Sequence, residues 1–108
     1  MIHLLIPVPG PIIQQWSQRH PAIDIACLLG TPIVAAHSGE AKVHYDFQMG
    51  NVVKLYGKDG IITSYSHLSK TKGNGMYNVG DIIGECGSTG TLSSGTHLHF
   101  ESNQSYQF

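Results

Sequence analysis

The chain has 108 residues, about one domain on the usual scale of roughly 100–200 residues each, and its 41% apolar content can furnish a buried core without staples. A net charge of −1 with only 12% charged residues gives no electrostatic footprint for nucleic acid or for an anionic membrane surface. No stretch approaches the ~20 apolar residues of a membrane span, and the opening Met1–Gly10, with two prolines and no basic start, does not read as a signal peptide.

Thirteen glycines and five prolines, scattered among Val, Ile, Tyr and Thr, predict many short strands joined by turns. No amphipathic helix is expected. In chain order the strands are Ala22–Cys27, Pro32–Ala36, Glu40–Phe47, Val52–Tyr56, Ile61–His67, Asp81–Cys86 and Thr96–Ser102. Turns are expected at Leu29–Thr31, Ser38–Gly39, Gly57–Gly60, Gly73–Gly75 and Gly87–Gly95. Spacing of this kind fits an all-β sandwich or barrel. A weak internal echo links Gly30-Thr-Pro-Ile-Val to Gly80-Asp-Ile-Ile-Gly, as a duplicated strand motif would. Cys27 and Cys86 are far apart and form no Cys-x-x-Cys pattern, so they are read as two buried thiols serving as small apolar residues; disulfide geometry is too demanding to be inferred from their positions.

Seven histidines are the unusual feature of the composition. His3, His37 and His44 sit in no constellation and are expected at surface or satisfied polar positions. The other four fall in three short motifs. In Thr96-His-Leu-His-Phe-Glu101, strand alternation points His97 and His99 to one face, about 6–7 Å apart at the backbone, close enough to address one centre. In His20-Pro-Ala-Ile-Asp24, an imidazole and a carboxylate could both ligate one zinc ion, but only if the chain bends. Pro21 disfavours helical geometry at His20, so His20 is expected on a loop and Asp24 entering a strand. In Thr63-Ser-Tyr-Ser-His-Leu-Ser69, alternation places Thr63, Tyr65 and His67 on one face, with His67 projecting at the strand end. Each motif alone is weak.

Taken in order, His-x-x-x-Asp, Tyr-Ser-His-Leu-Ser, Gly87-Ser-Thr-Gly and His-Leu-His-Phe-Glu resemble the lysostaphin-type zinc endopeptidases of the LytM-like family. Gly30-Thr-Pro-Ile-Val-Ala-Ala, Gly50-Asn-Val-Val and Val79-Gly-Asp-Ile-Ile-Gly add to the likeness, which runs from about His20 to Glu101. The resemblance implies a compact antiparallel β-sandwich or barrel-like fold of the duplicated hybrid motif type, with a substrate groove across a sheet and one zinc ion (Zn2+) at its floor. It implies a single peptidase domain over residues 1–108, with a catalytic core at about 17–103 and residues 1–16 as an N-terminal extension. His20, Asp24 and His99 would ligate the metal, and His67 and His97 would be the catalytic pair. The substrate would be bacterial peptidoglycan, reached outside the cytoplasm or from a phage virion, with no nucleic acid or membrane-inserted partner and with phage tail or wall-binding components as further candidates.

Zinc acts as a Lewis acid and lowers the pKa of water to about 7. His97, two residues from His99, is assigned as general base, with His67 serving the oxyanion or the leaving amine. The chain departs from the family pattern at Ala22, where Gly is common, and in having no tyrosine shortly before His20. Trp16 could wall the groove but carries no phenol, which leaves Tyr45 or Tyr65 as substitutes. Ser69–Asn78 is expected to form one wall. Two alternatives remain: a catalytically inactive scaffold of the same fold, and a histidine phosphocarrier domain, in which the His20/Asp24 pair would have no role.

Overall fold

Apolar residues recurring at every second position build the molecule from strands alone, apart from a single 3₁₀ turn at Lys58–Gly60. The computed structural model describes all residues from Met1 to Phe108. In chain order the strands are β1 (Ile2–His3), β2 (Ile12–Gln14), β3 (Ile23–Ala26), β4 (Pro32–Val34), β5 (Gly39–Asp46), β6 (Gly50–Tyr56), β7 (Ile62–Leu68), β8 (Lys70–Thr71), β9 (Gly75–Tyr77), β10 (Ile82–Glu85), β11 (His97–Ser102) and β12 (Tyr106–Gln107). All the strands expected from the sequence are present, their ends moved by no more than two residues. The five that were not expected, β1, β2, β8, β9 and β12, are only two or three residues long and carry too little alternation to read.

A seven-stranded antiparallel sheet, in the order β2-β3-β11-β7-β6-β5-β9, is the frame. A three-stranded sheet, β4-β10-β8, and a parallel pair, β1 with β12, complete the fold. The all-β antiparallel architecture is therefore as expected. The internal echo acquires a structural meaning here. Gly30 and Gly80 both turn the chain at positive φ, 85° and 88°, and the strands that follow them, β4 and β10, pair with each other.

The register of the large sheet separates two chemistries. On its inner face, Leu98 lies opposite Ile25 and Phe100 opposite Tyr65, within an apolar cluster that also takes in Val53, Leu55 and Ile83. The first sixteen residues add Leu4 and Val8 to this core. On its outer face, His99 lies opposite both Asp24 and Ser66, and Glu101 opposite Ser64. Burial of the inner face fixes this register, because a slip of one residue would turn every core side chain outward.

Three expectations are corrected. Thr63 and Tyr65 do not share a face with His67: both are fully buried on the inner side, and His67 leaves the alternation at a bulge, where its φ is +64°. The segment Ser69–Asn78 does not wall the groove beside the histidine cluster, and it pairs with the large sheet only next to β5. Its β8 joins the small sheet, and its β9 lies on the far edge of the large one, three strand spacings or roughly 14 Å from β7. Cys27 and Cys86 are not free thiols but a disulfide with Cα atoms 6.3 Å apart, which ties the end of β3 to the end of β10. Two remote strand ends meet only in the folded chain, which is why sequence could not reveal the pair.

Candidate metal centre

Asp24 is the hub of the outer face, 8% exposed and at the centre of β3. Around it the chain gathers histidines from three places. His20 arrives on a tight bend in which Ser17 and His20 exchange backbone hydrogen bonds and Ala22 N–H donates to the His20 carbonyl at 2.7 Å. The bend ahead of Pro21 is therefore real, with His20 on a loop and Asp24 in a strand. His20 Nε2 stands 3.3 Å from Asp24 Oδ2, and His99 Nδ1 stands 3.1 Å from Asp24 Oδ1. One ligand atom from each of His20, Asp24 and His99 lies within 4.8 Å of the others.

The second nitrogen of each ring is held by an acceptor outside the cluster. A carbonyl can only accept, so His20 Nδ1–H donates to Ala22 O at 3.0 Å and leaves Nε2 as a lone pair. His99 Nε2 lies 3.1 Å from the Glu101 carboxylate and donates to it, leaving Nδ1 facing Asp24. That hydrogen bond above all, with smaller help from the nearby charges of His99 and then Lys54, holds the Glu101 carboxyl below the usual carboxylate range despite its partial burial. Two imidazoles and one carboxylate, each imidazole anchored by an outer acceptor, form a donor set suited to zinc. The residues fit the ion.

His97 and His67 flank this set. His97 donates from Nδ1 to Gly95 O at 2.9 Å, and its Nε2 lies 3.7 Å from Asp24 Oδ1. His67 is 2% exposed, and its ring centre is 5.0 Å from that of His97 and 5.7 Å from that of His99. Burial is the main force lowering its pKa, only partly offset by its hydrogen bond to the Thr89 carbonyl, so the neutral ring is favoured. All five residues singled out in the sequence thus converge on one side of the large sheet.

Two contributors were not assigned a role beforehand. Glu101 was legible in principle, since alternation puts it on the face of His97 and His99. Thr89 was not. Its hydroxyl donates to Leu68 O at 2.7 Å and accepts from Asn51 N–H at 3.1 Å, clamping the 87–95 loop against the start of β6. The same loop reaches the β5–β6 turn through Thr91 N–H to Phe47 O and Leu92 N–H to Gln48 O, both at 3.1 Å.

The three other histidines stand apart from the centre. His3 and His44 are exposed, and His37 hydrogen-bonds Thr63 Oγ1 and Ser38 O. Neither tyrosine considered as a phenol source lies at the centre. The Tyr65 hydroxyl accepts from Ala36 N–H at 3.0 Å inside the core, and Tyr45 sits on β5, with β6 between it and β7.

Residues 18–107 match the model of Peptidase family M23. The chain belongs to that family. It is 38% identical over 97 residues to the DD-carboxypeptidase/endopeptidase Mpg of Neisseria meningitidis, an alignment covering 84% of this chain and 21% of that protein. The catalytic domain of lysostaphin from Staphylococcus simulans superposes with a TM-score of 0.73 and 34% identity, over 88% of this chain and 75% of that one. A zinc-containing peptidase from Vibrio cholerae superposes with a TM-score of 0.78 and 26% identity, over 89% of this chain and 35% of that one. The chain spans about a fifth of the length of its Neisseria relative. It is thus an M23 metallopeptidase domain, of a family whose members include peptidoglycan endopeptidases.

Proposed function

We propose that the chain is a zinc-dependent endopeptidase that hydrolyses peptide bonds in bacterial peptidoglycan, with His20, Asp24 and His99 holding the ion and His67 and His97 handling protons. The observation that carries this reading is the convergence of three ligand atoms within 4.8 Å beside two further histidines. Family membership and the zinc-containing Vibrio cholerae neighbour support the choice of metal.

Bound there, zinc would supply a Lewis acid able to polarise a carbonyl and to lower the pKa of water to about 7. The rest is work for the chain's own groups. His97, with Nδ1 committed to Gly95 O, offers Nε2 as the base that takes a proton from the attacking water. His67, neutral and held through Nδ1 by Thr89 O, offers its own Nε2 on the other flank. The proton that His97 takes from water can pass to this nitrogen, the two ring centres being 5.0 Å apart, and from there stabilise the oxyanion or reach the leaving amine. The outer face of the large sheet forms the floor on which an extended peptide would lie.

The name of the Neisseria relative favours cross-links between stem peptides as the substrate. Such substrates lie outside the cytoplasm, in the wall or before a phage particle, and the Cys27–Cys86 disulfide supports an oxidising location. The test is metal analysis of the purified chain together with digestion of cell walls by the parent and two variants. His99→Ala is expected to lose both zinc and activity. His97→Ala is expected to keep zinc and lose activity. A His97→Ala variant that digests walls at the parent rate would overturn the assignment.

A further inference from the structure

We propose that Lys42 and Lys54 form a subsite for a carboxylate of the stem peptide on the floor of the groove. The inference rests on the peptidoglycan reading above and goes beyond it to the substrate group recognised. Its basis is the register of the large sheet. Glu101 lies opposite Ser64, Ser64 opposite Lys54, and Lys54 opposite Lys42, so one straight row crosses four strands. Alternation keeps the whole row on one face. Val53, Leu55 and Ala41, the sequence neighbours of the lysines, are buried in the core behind it. The row starts beside His99, because Glu101 hydrogen-bonds that ring.

Two ammonium groups directly opposite each other across antiparallel strands repel, and such a pair is destabilising unless something neutralises it. Glu101, two strand spacings along the row, feels the charge of Lys54 but makes no ion pair with it. Every ion pair in the molecule is made by a histidine, and neither lysine has a carboxylate partner. Both side chains are exposed. Protection of a sheet edge does not explain Lys54, since β6 is an interior strand. The arrangement is costly in the free protein and favourable with an anion between the two heads. Lys54 and Lys42 stand two and three strand spacings from β11, roughly 10 and 14 Å. An extended peptide rises about 3.3 Å per residue, so the carboxylate would belong to a residue three or four positions from the bond at the histidine cluster. Stem peptides carry side-chain and terminal carboxylates at such distances.

The test uses two soluble stem-peptide dimers, identical except that the carboxylate is free in one and amidated in the other. The parent is expected to show a KM about tenfold lower for the free acid with kcat unchanged, a preference that shrinks as salt is raised. The double variant Lys42→Met/Lys54→Met is expected to cut both dimers with equal KM, near the parent value for the amide. A parent that does not distinguish the dimers, or a double variant that keeps the preference, would overturn the subsite. Titration of both peptides into the metal-free chain, followed by NMR, decides the same point without turnover. Failure to cut either dimer would therefore count against the enzymatic reading alone.

Discussion

The Nδ1–H of His67 donates to the carbonyl oxygen of Thr89 over 2.7 Å, across 22 residues of sequence. A positive-φ residue near the end of β7 is thereby held by a loop with no regular structure, and the position of Thr89 sets where His67 Nε2 points. Gly90 has a φ of +87°, and a Cβ there would run into Gln48 O and the Gly50 amide. Gly90→Ala is therefore expected to shift Thr89 and release the ring. Activity should fall on the order of a hundredfold, as for an ångström-scale misplacement of a catalytic group, while zinc content is unchanged. Full activity in this variant would show that the clamp does not position His67.

Glu101 should matter for metal rather than for protons. It accepts from the nitrogen of His99 that faces away from Asp24, so removing it frees that ring to rotate and lowers the basicity of Nδ1. Glu101→Ala is expected to weaken zinc binding by about 10–100-fold in a chelator competition, and Glu101→Gln, which keeps an acceptor, by less. Equal affinities in all three proteins would sink the idea.

How much of this could be read beforehand follows from where each signal resides. Strands β3 to β7, β10 and β11 were legible because burial on one face imposes alternation, as in His97-Leu-His-Phe. The site residues were legible as an ordered set, since each His or Asp lies in a short, separated motif. His67 was singled out but placed on the wrong face, because a single positive φ reverses alternation and no residue type announces it. Thr89, the Cys27–Cys86 pairing and the continuation of the Lys42/Lys54 row to Ser64 and Glu101 depend on contacts between distant segments. Local pattern carries no trace of them.

The disulfide closes a loop with a sequence separation of 59 residues and anchors β3, which bears Asp24, to the small sheet. On the chain-entropy model a loop of that length contributes about 4 kcal/mol. The Cys27→Ser/Cys86→Ser variant, or the parent treated with a thiol reductant, should lose roughly 2–4 kcal/mol in a urea titration. Thiol titration of the unfolded parent should find no free thiol before reduction and two after it. A free thiol before reduction, or unchanged stability after it, would contradict the structure.

Tyr65 sets an alkaline limit on the fold. Its hydroxyl accepts from Ala36 N–H and from Thr63 Oγ1, and burial pushes its pKa from 10.0 up to about 12. The sign follows from linkage. The folded value lies above the unfolded one, so the stabilisation is fully present below pH 10 and is lost as pH rises through 12. A shift of about two units corresponds to at most about 3 kcal/mol between those limits. Tyr65→Phe removes this dependence but leaves the Ala36 amide without its acceptor, which costs about 1–3 kcal/mol at every pH. The expected result is a variant less stable at pH 7 yet with a flatter decline between pH 10 and 12, read from urea midpoints by circular dichroism. Parallel curves for the two proteins would show that Tyr65 does not govern the alkaline transition.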